Sequence, residues 1–356
     1  MAEPIRLLIV DDSPFMRRAI SSLVEGEENI KVVGTAKDGQ DAIRQIQDLK
    51  PDIATMDIEM PVMDGLTALK IIMEKFPLPV IMLSSLTEEG AKETLDALDL
   101  GAADYIPKNL SNVSLNILKI KDDLISKIKA ITAKKYFFKP RVNGHEGEHI
   151  KTTQFKESEI AFKNNKIDIV AIGSSTGGPK ALQDVIPKLP QNFPVPIILV
   201  QHMPKAFTGS FAERLSSISH IKVIEAAGGE IIKPGIAYLS PGDKHLSIVK
   251  EKRGDFIISL SNEPEDLINR PSVSVMMESV AKGYPGKALG VILTGMGSDG
   301  LLGMKKIKET GGKTIAQNEA TCVVYGMPKA VVDAGVADMV LPIYKIGDEI
   351  IRETVL

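Results

Sequence analysis

The 356 residues exceed the common size of a single domain, which points to two. A composition of 44% hydrophobic and 25% charged residues with a formal net charge of −3 is that of an ordinary globular chain. It argues against a nucleic-acid or anionic-membrane partner, and no apolar run approaches the roughly 18 residues of a membrane span.

The segment MAEPIRLLIV has a short apolar run that ends at Asp11 and Asp12 and reads as a first strand rather than a secretory signal. From there to about residue 130, the runs IRLLIV, KVVGTA, IATM, PVIML and DYI alternate with amphipathic segments. Strand-helix alternation at this spacing requires crossover connections. The expectation for residues 1–130 is therefore a flavodoxin-like (βα)5 domain of the α/β class, with ligands at the carboxyl ends of its parallel strands.

Over residues 131–165 the pattern lapses into scattered charge with Pro140, Gly144 and Gly147, which reads as a linker. A second alternation fills residues 166–356, with IDIVAIG, PIILVQH, IKVIEA, AYLSPG, HLSIVK, DFIISL and ALGVILTG as strands and FTGSFAERL and SVSVMMESVAKG as helical patterns between them. A second α/β domain follows, with a mainly parallel sheet and a hairpin-rich middle. The one cysteine, Cys322, excludes an intrachain disulfide and a cysteine-built zinc cage; it reads as a buried thiol in a reducing, cytoplasmic compartment.

Two constellations carry chemistry. In the first, Asp11 and Asp12 end the first strand, Asp57 ends the third, Ser84 ends the fourth and Lys108 follows the fifth. Three carboxylates at one sheet edge repel one another unless a cation sits among them, and hard oxygen ligands with open water positions suit Mg²⁺. Beside such an ion, Asp57 is placed to accept a phosphoryl group whose oxygens meet Lys108 and the Ser84 hydroxyl. The stretches VDDS and MDIEMPVMDG resemble the receiver domain of two-component response regulators. The resemblance implies that Asp57 is the phosphoacceptor and Tyr105 the switch aromatic. One departure is Asn109 after Lys108, where receivers usually carry proline and commonly a cis bond.

The second constellation starts at KIDIVAIGSSTGGPKAL, residues 166–182. Its glycines do not match the G-x-G-x-x-G of a dinucleotide loop, but Gly173, Ser175 and Gly177 satisfy G-x-S-x-G between a strand and a helix, the context of a nucleophile elbow. Of the histidines, only His202 directly follows an apolar strand; His145 and His149 fall in the linker, His220 precedes a strand and His245 lies in the hairpin-rich middle. Asp299, in the glycine-rich turn after ALGVILTG, supplies an orienting carboxylate, so Ser175, His202 and Asp299 form the expected triad. The glycine-rich TGMGSDG and GGKT stretches read as turns supporting this site, since GGKT lacks the spacing of a Walker loop and precedes a strand.

In order along the chain, AIGSSTGG, QHMP with FTGSFAERL, PGDKH, RPSV, GVILTGMGSDG and AQNEATCVVYGMP are similar to the CheB family of chemotaxis methylesterases. The resemblance implies Ser175 as nucleophile, His202 as general base and Asp299 as the acid orienting it, with Thr176 and the Met296 N–H shaping the oxyanion site. It further implies demethylation of glutamate methyl esters and deamidation of glutamines on chemoreceptors, with a histidine kinase as phosphodonor. Mg²⁺ is then required for phosphorylation alone, and no cofactor for ester hydrolysis. Ser174 and Ser274 stand where the family commonly has alanine and aspartate, positions not expected to touch the triad. Two other readings compete: a catalytically dead hydrolase fold used for receptor docking, and a transcription factor. The second half shows neither a helix-turn-helix pattern nor a basic stripe.

Overall fold

The computed structural model describes residues 3–108, 116–133 and 167–355; Asn109 and the expected linker beyond residue 133 lie outside the described residues. The first half runs β1 (Ile5–Val10), α1 (Pro14–Val24), β2 (Ile30–Ala36), α2 (Gly39–Leu49), β3 (Ile53–Asp57), α3 (Gly65–Lys75), β4 (Val80–Ser84), α4 (Glu88–Leu100), β5 (Asp104–Pro107) and α5 (Asn116–Thr132). Its sheet order is β2-β1-β3-β4-β5, every pair parallel. The inner strands are apolar almost throughout because helices cover both faces, and Leu7 to Val10 are fully buried. Past the strand ends, polar residues cap the following helices: Ser13 accepts the Met16 N–H at 3.4 Å, Asp64 the Thr67 N–H at 2.7 Å and Thr87 the Gly90 N–H at 3.0 Å. The expected (βα)5 domain is present, with α5 continuing two residues past the expected limit at 130.

The second half runs β6 (Ile169–Ser174), α6 (Gly178–Val185), β7 (Ile197–Gln201), α7 (Lys205–Ile218), β8 (Lys222–Glu225), β9 (Ile236–Leu239), β10 (His245–Lys250) and β11 (Phe256–Ser261). It continues through α8 (Val273–Gly283), β12 (Ala288–Ile292), α9 (Leu301–Glu309), β13 (Lys313–Gln317), α10 (Met327–Asp333), β14 (Met339–Leu341) and α11 (Ile343–Val355). Seven parallel strands form a sheet in the order β14-β13-β12-β6-β7-β9-β8.

The expected hairpin-rich middle comes down to one hairpin: β10 and β11 pair antiparallel and Ile231 adds an antiparallel bridge to Ile257, while β8 and β9 extend the parallel sheet. The connection over residues 226–235 does not turn straight back, because it first runs along β11, where Ile231 bridges Ile257 and the Ile232 N–H donates to Phe256 O at 2.9 Å. β14 was not anticipated, because three partly exposed residues at a sheet edge leave no periodic signal. From β6 the chain moves out through β7 on one side and returns to β12 on the other, so the topological switch point lies at the carboxyl end of β6, where ligands bind in open α/β sheets.

The two halves pack together. Leu95, Leu98 and Tyr105 share one apolar cluster with Phe207, Phe211 and Leu215, and Val324 is buried in another with Leu124 and Ile128 of α5. At the rim, Arg214 of α7 pairs with Asp96 at 2.6 Å and with Asp99, both on α4. No described helix is long and apolar enough to cross a membrane.

Candidate active site and acidic cluster

Ser175 stands immediately after β6, at the switch point. Its N–H donates to Thr294 O at 3.0 Å, and its carbonyl accepts the Gly178 N–H at 2.7 Å, which bends the chain sharply into α6. Gly177 takes φ 74°, and a Cβ on Gly178 would collide with the Gln201 amide. The small residues around the serine are therefore required by the turn itself, which is the physical content of the sequence pattern.

His202, just past β7, brings its Nε2 to 2.9 Å from Asp299 Oδ2. The other ring nitrogen, Nδ1, is thereby left to take a proton. Asp299 rests against the N-terminal turn of α8: Oδ1 accepts the Ser272 hydroxyl at 3.0 Å and the Ser274 N–H at 3.0 Å, and Oδ2 the Val273 N–H at 2.7 Å. The Gly300 N–H adds a bond to Oδ1 at 2.8 Å. Burial opposes its charge, but the hydrogen bond and charge of His202 and these amides outweigh burial and hold the carboxyl well below the usual carboxylate range.

Ser175, Thr176, His202 and Met296 all line one cavity of about 250 Å³. Asp299 is bonded to His202 from behind. Among the described residues no hydrogen bond joins Ser175 to His202, a gap common in unliganded hydrolases. The Thr176 carbonyl accepts the Thr294 hydroxyl at 2.9 Å, which fixes the turn beside the serine.

Sequence reasoning passed over two residues that hold this arrangement. Buried Gln201 donates its amide to the carbonyls of both Ser175 and His202 at 3.0 Å, and its Oε1 accepts the Ser174 hydroxyl at 2.7 Å. Ser272 caps α8 while donating to Asp299. The capping serine before an amphipathic run was a readable signal for Ser272; nothing local marks Gln201. The expectation that Ser174 and Ser274 stand clear of the triad is corrected. The Ser274 N–H contacts Asp299 and its hydroxyl accepts the Gly300 N–H at 2.8 Å, while the Ser174 carbonyl accepts the His202 N–H at 3.1 Å and its hydroxyl donates to Gln201. Both reach the site because α8 and β7 close over the end of β6, a contact between segments distant in sequence.

In the first half, ligand atoms of Asp11, Asp12 and Asp57 lie within 4.8 Å of one another. Lys108 Nζ lies 2.5 Å from Asp57 Oδ2 and 3.0 Å from Asp11 Oδ2. Burial pushes the Asp57 carboxyl up, partly offset by Lys108; the same partners hold the Lys108 ammonium up against its own burial. Asp11 Oδ2, buried, receives no hydrogen bond of normal geometry despite the nearby ammonium. A compact all-oxygen set with such an under-satisfied atom fits a small hard cation that keeps part of its water shell. Ser84 is placed differently from the expectation: its hydroxyl lies 3.1 Å from Gly90 O and 2.5 Å from the Thr94 hydroxyl, turned toward α4. Tyr105 is buried away from the acids and stacks on Phe207.

The far wall of the Ser175 cavity belongs to the first half, through Asp104, Tyr105, Pro107, Asp123 and Lys127. Lys127 Nζ donates to Tyr105 O at 2.7 Å and pairs with Asp104 at 3.1 Å and Asp123 at 3.4 Å. The two halves thus meet across one cleft, whose lining does not include Asp11, Asp12, Asp57, Ser84 or Lys108.

Residues 7–118 match the family model for the response regulator receiver domain, and residues 170–350 match that for CheB methylesterase. A relative from Oleidesulfovibrio alaskensis named protein-glutamate methylesterase/protein-glutamine glutaminase 1 is 48% identical over 95% of this chain and 96% of its own. A protein-glutamate methylesterase/protein-glutamine glutaminase from Thermotoga maritima is 46% identical over 98% of each chain. The crystal structure of the Thermotoga maritima CheB methylesterase catalytic domain is 48% identical, with a TM-score of 0.51, and covers 52% of this chain and 98% of that one. With a receiver domain preceding a second domain that matches over its whole sheet, the chain belongs to the CheB methylesterase family.

Proposed function

We propose that this chain is a receiver-controlled serine esterase of the cytoplasm that demethylates glutamate methyl esters on chemoreceptors and deamidates receptor glutamines. The observation that carries the reading is the His202–Asp299 contact of 2.9 Å beside the cavity that Ser175 lines. Ser175 Oγ attacks the side-chain carbonyl carbon as His202 Nδ1 takes its proton, and the Asp299 carboxylate stabilises the imidazolium through Nε2. The backbone N–H groups of Thr176 and Met296, which have no acceptor among the described residues, face the developing oxyanion. Collapse returns the proton to the leaving methoxide, or to the amine of a glutamine, and water activated by His202 then frees the glutamate.

Asp57 is the proposed phosphoacceptor, with Lys108 pairing the added oxygens and a histidine kinase as donor. Mg²⁺, held by Asp11, Asp12 and Asp57, would neutralise the charge of the incoming phosphoryl group. Because the receiver walls the cavity, the unphosphorylated receiver restricts access to Ser175, and Tyr105 links the two domains. Methanol release from methylated receptor, compared between the wild type and Ser175→Ala with and without a phosphodonor and Mg²⁺, tests the reading. The variant is expected to release none above background; equal rates would leave a docking protein in its place.

A further inference from the structure

His245, at the head of β10 and almost fully buried, lies outside the proposed triad, yet both its ring nitrogens are committed to backbone partners. Nδ1 accepts the Ser272 N–H at 3.1 Å, and Nε2 lies 3.2 Å from Pro264 O. A carbonyl only accepts and an N–H only donates, so one form of the ring serves both partners: the neutral tautomer protonated on Nε2. Burial lowers the ring's affinity for a second proton, which favours that form.

What those partners do gives the contact its meaning. Ser272 is the cap of α8, its hydroxyl donates to Asp299 Oδ1, and the next two backbone N–H groups donate to the same carboxylate. Pro264 belongs to the segment that runs to Asn269, which lines the Ser175 cavity. One imidazole therefore ties the cradle of Asp299 to the loop at the cavity wall.

We propose that His245 is a positioning residue for ester hydrolysis: by holding the Ser272 peptide it sets the head of α8, and through it the placement of Asp299 against His202. The inference rests on the triad reading above. Angular control of the carboxylate affects the proton-transfer step more than substrate binding, so loss of the ring is expected to lower kcat and leave KM nearly unchanged.

The test uses the full chain with phosphodonor, Mg²⁺ and methyl-esterified receptor membranes, and follows methanol release beside thermal melting. His245→Ala is expected to lose on the order of 10- to 100-fold in kcat, with KM within about twofold of the wild type. His245→Asn, whose Oδ1 takes the position of Nδ1 and accepts from Ser272, is expected to recover to within about fivefold of the wild type, whereas His245→Gln, which reaches only toward Pro264, does not. An unchanged kcat in folded His245→Ala, or recovery by Gln rather than Asn, overturns the proposal. If the alanine variant does not fold, the Asn and Gln variants decide, and equal loss in both overturns it as well. Wild-type rates in a parallel Ser175→Ala measurement would instead strike the triad reading itself.

Discussion

The Tyr105 ring at the end of the receiver sheet lies stacked on Phe207 in the first turn of α7, with centroids 5.0 Å apart and planes 20° from parallel. Phe207 follows Pro204 and His202 by only a few residues, so the stack joins the receiver to the segment that carries the proposed base. An aromatic pair of this kind contributes about 0.5–1.5 kcal/mol beyond its buried area. Tyr105→Ala is expected to raise methanol release in the absence of phosphodonor by severalfold, with little change in the fully activated rate. Basal activity equal to the wild type in a folded variant would remove Tyr105 from the closure of the cleft.

The Arg214 pairs with Asp96 and Asp99 sit at the rim of the same interface, and with Asp96 half exposed they are worth no more than about 1 kcal/mol after solvent screening. Arg214→Ala is therefore expected to raise basal activity by less than about fivefold. Added salt should raise the basal rate of the wild type and have less effect on the variant, because screening removes the same attraction. A salt response of the same size in both proteins would assign it elsewhere.

Gln201 holds the carbonyls of Ser175 and His202 with one amide, so Gln201→Leu leaves two carbonyls without their donor and frees two loops at once. A misplacement of about 1 Å lowers rates on the order of 100-fold, and that is the expected fall in kcat. Ser174→Ala removes only the hydroxyl that orients this amide and is expected to cost about 1 kcal/mol in stability, read by urea unfolding, with activity within a few-fold.

Asp299 supplies a pH signature. Its folded-state carboxyl is held below its unfolded value near 3.9, so the stability it contributes is present above about pH 4 and is lost as pH falls through and below that value. Asp299→Asn is expected to lower unfolding free energy by about 3 kcal/mol at pH 7, and by progressively less from pH 4 toward pH 2. Activity at neutral pH should fall on the order of 10⁴-fold. A destabilisation that stays constant down to pH 2 would contradict the placement of the charge.

Metal removal separates the two domains. Chelation by EDTA is expected to abolish stimulation by a small-molecule phosphodonor, since Asp11, Asp12 and Asp57 then face an incoming phosphoryl group without a divalent ion. The basal rate of ester hydrolysis should stay unchanged. Loss of basal activity on chelation, restored by Mg²⁺, would place the ion in the hydrolytic step.

The (βα)5 rhythm of the first half was readable because each inner strand is a short apolar run bounded by polar caps, and because Asp11, Asp12, Asp57 and Lys108 fall at strand ends whatever the packing of the helices. The same strand-end logic selected His202, while Ser175 was marked by the G-x-S-x-G pattern between a strand and a helix. It failed where the signal is not periodic: β14 is too short to show one, and the run of short strands in the middle did not reveal that only β10 and β11 form a hairpin while β8 and β9 pair in parallel.

By itself, then, the sequence determined which residues have the chemistry to act and at which edge of each sheet they lie, since alternation and strand-end position are local properties of the chain. Only the tertiary structure decided that the amides of α8 cradle Asp299, that Gln201 clamps the proposed nucleophile and base together, and that the receiver forms one wall of the cavity. Those relationships depend on helices from distant segments closing over the end of β6, and a contact between distant segments leaves no periodic trace along either one.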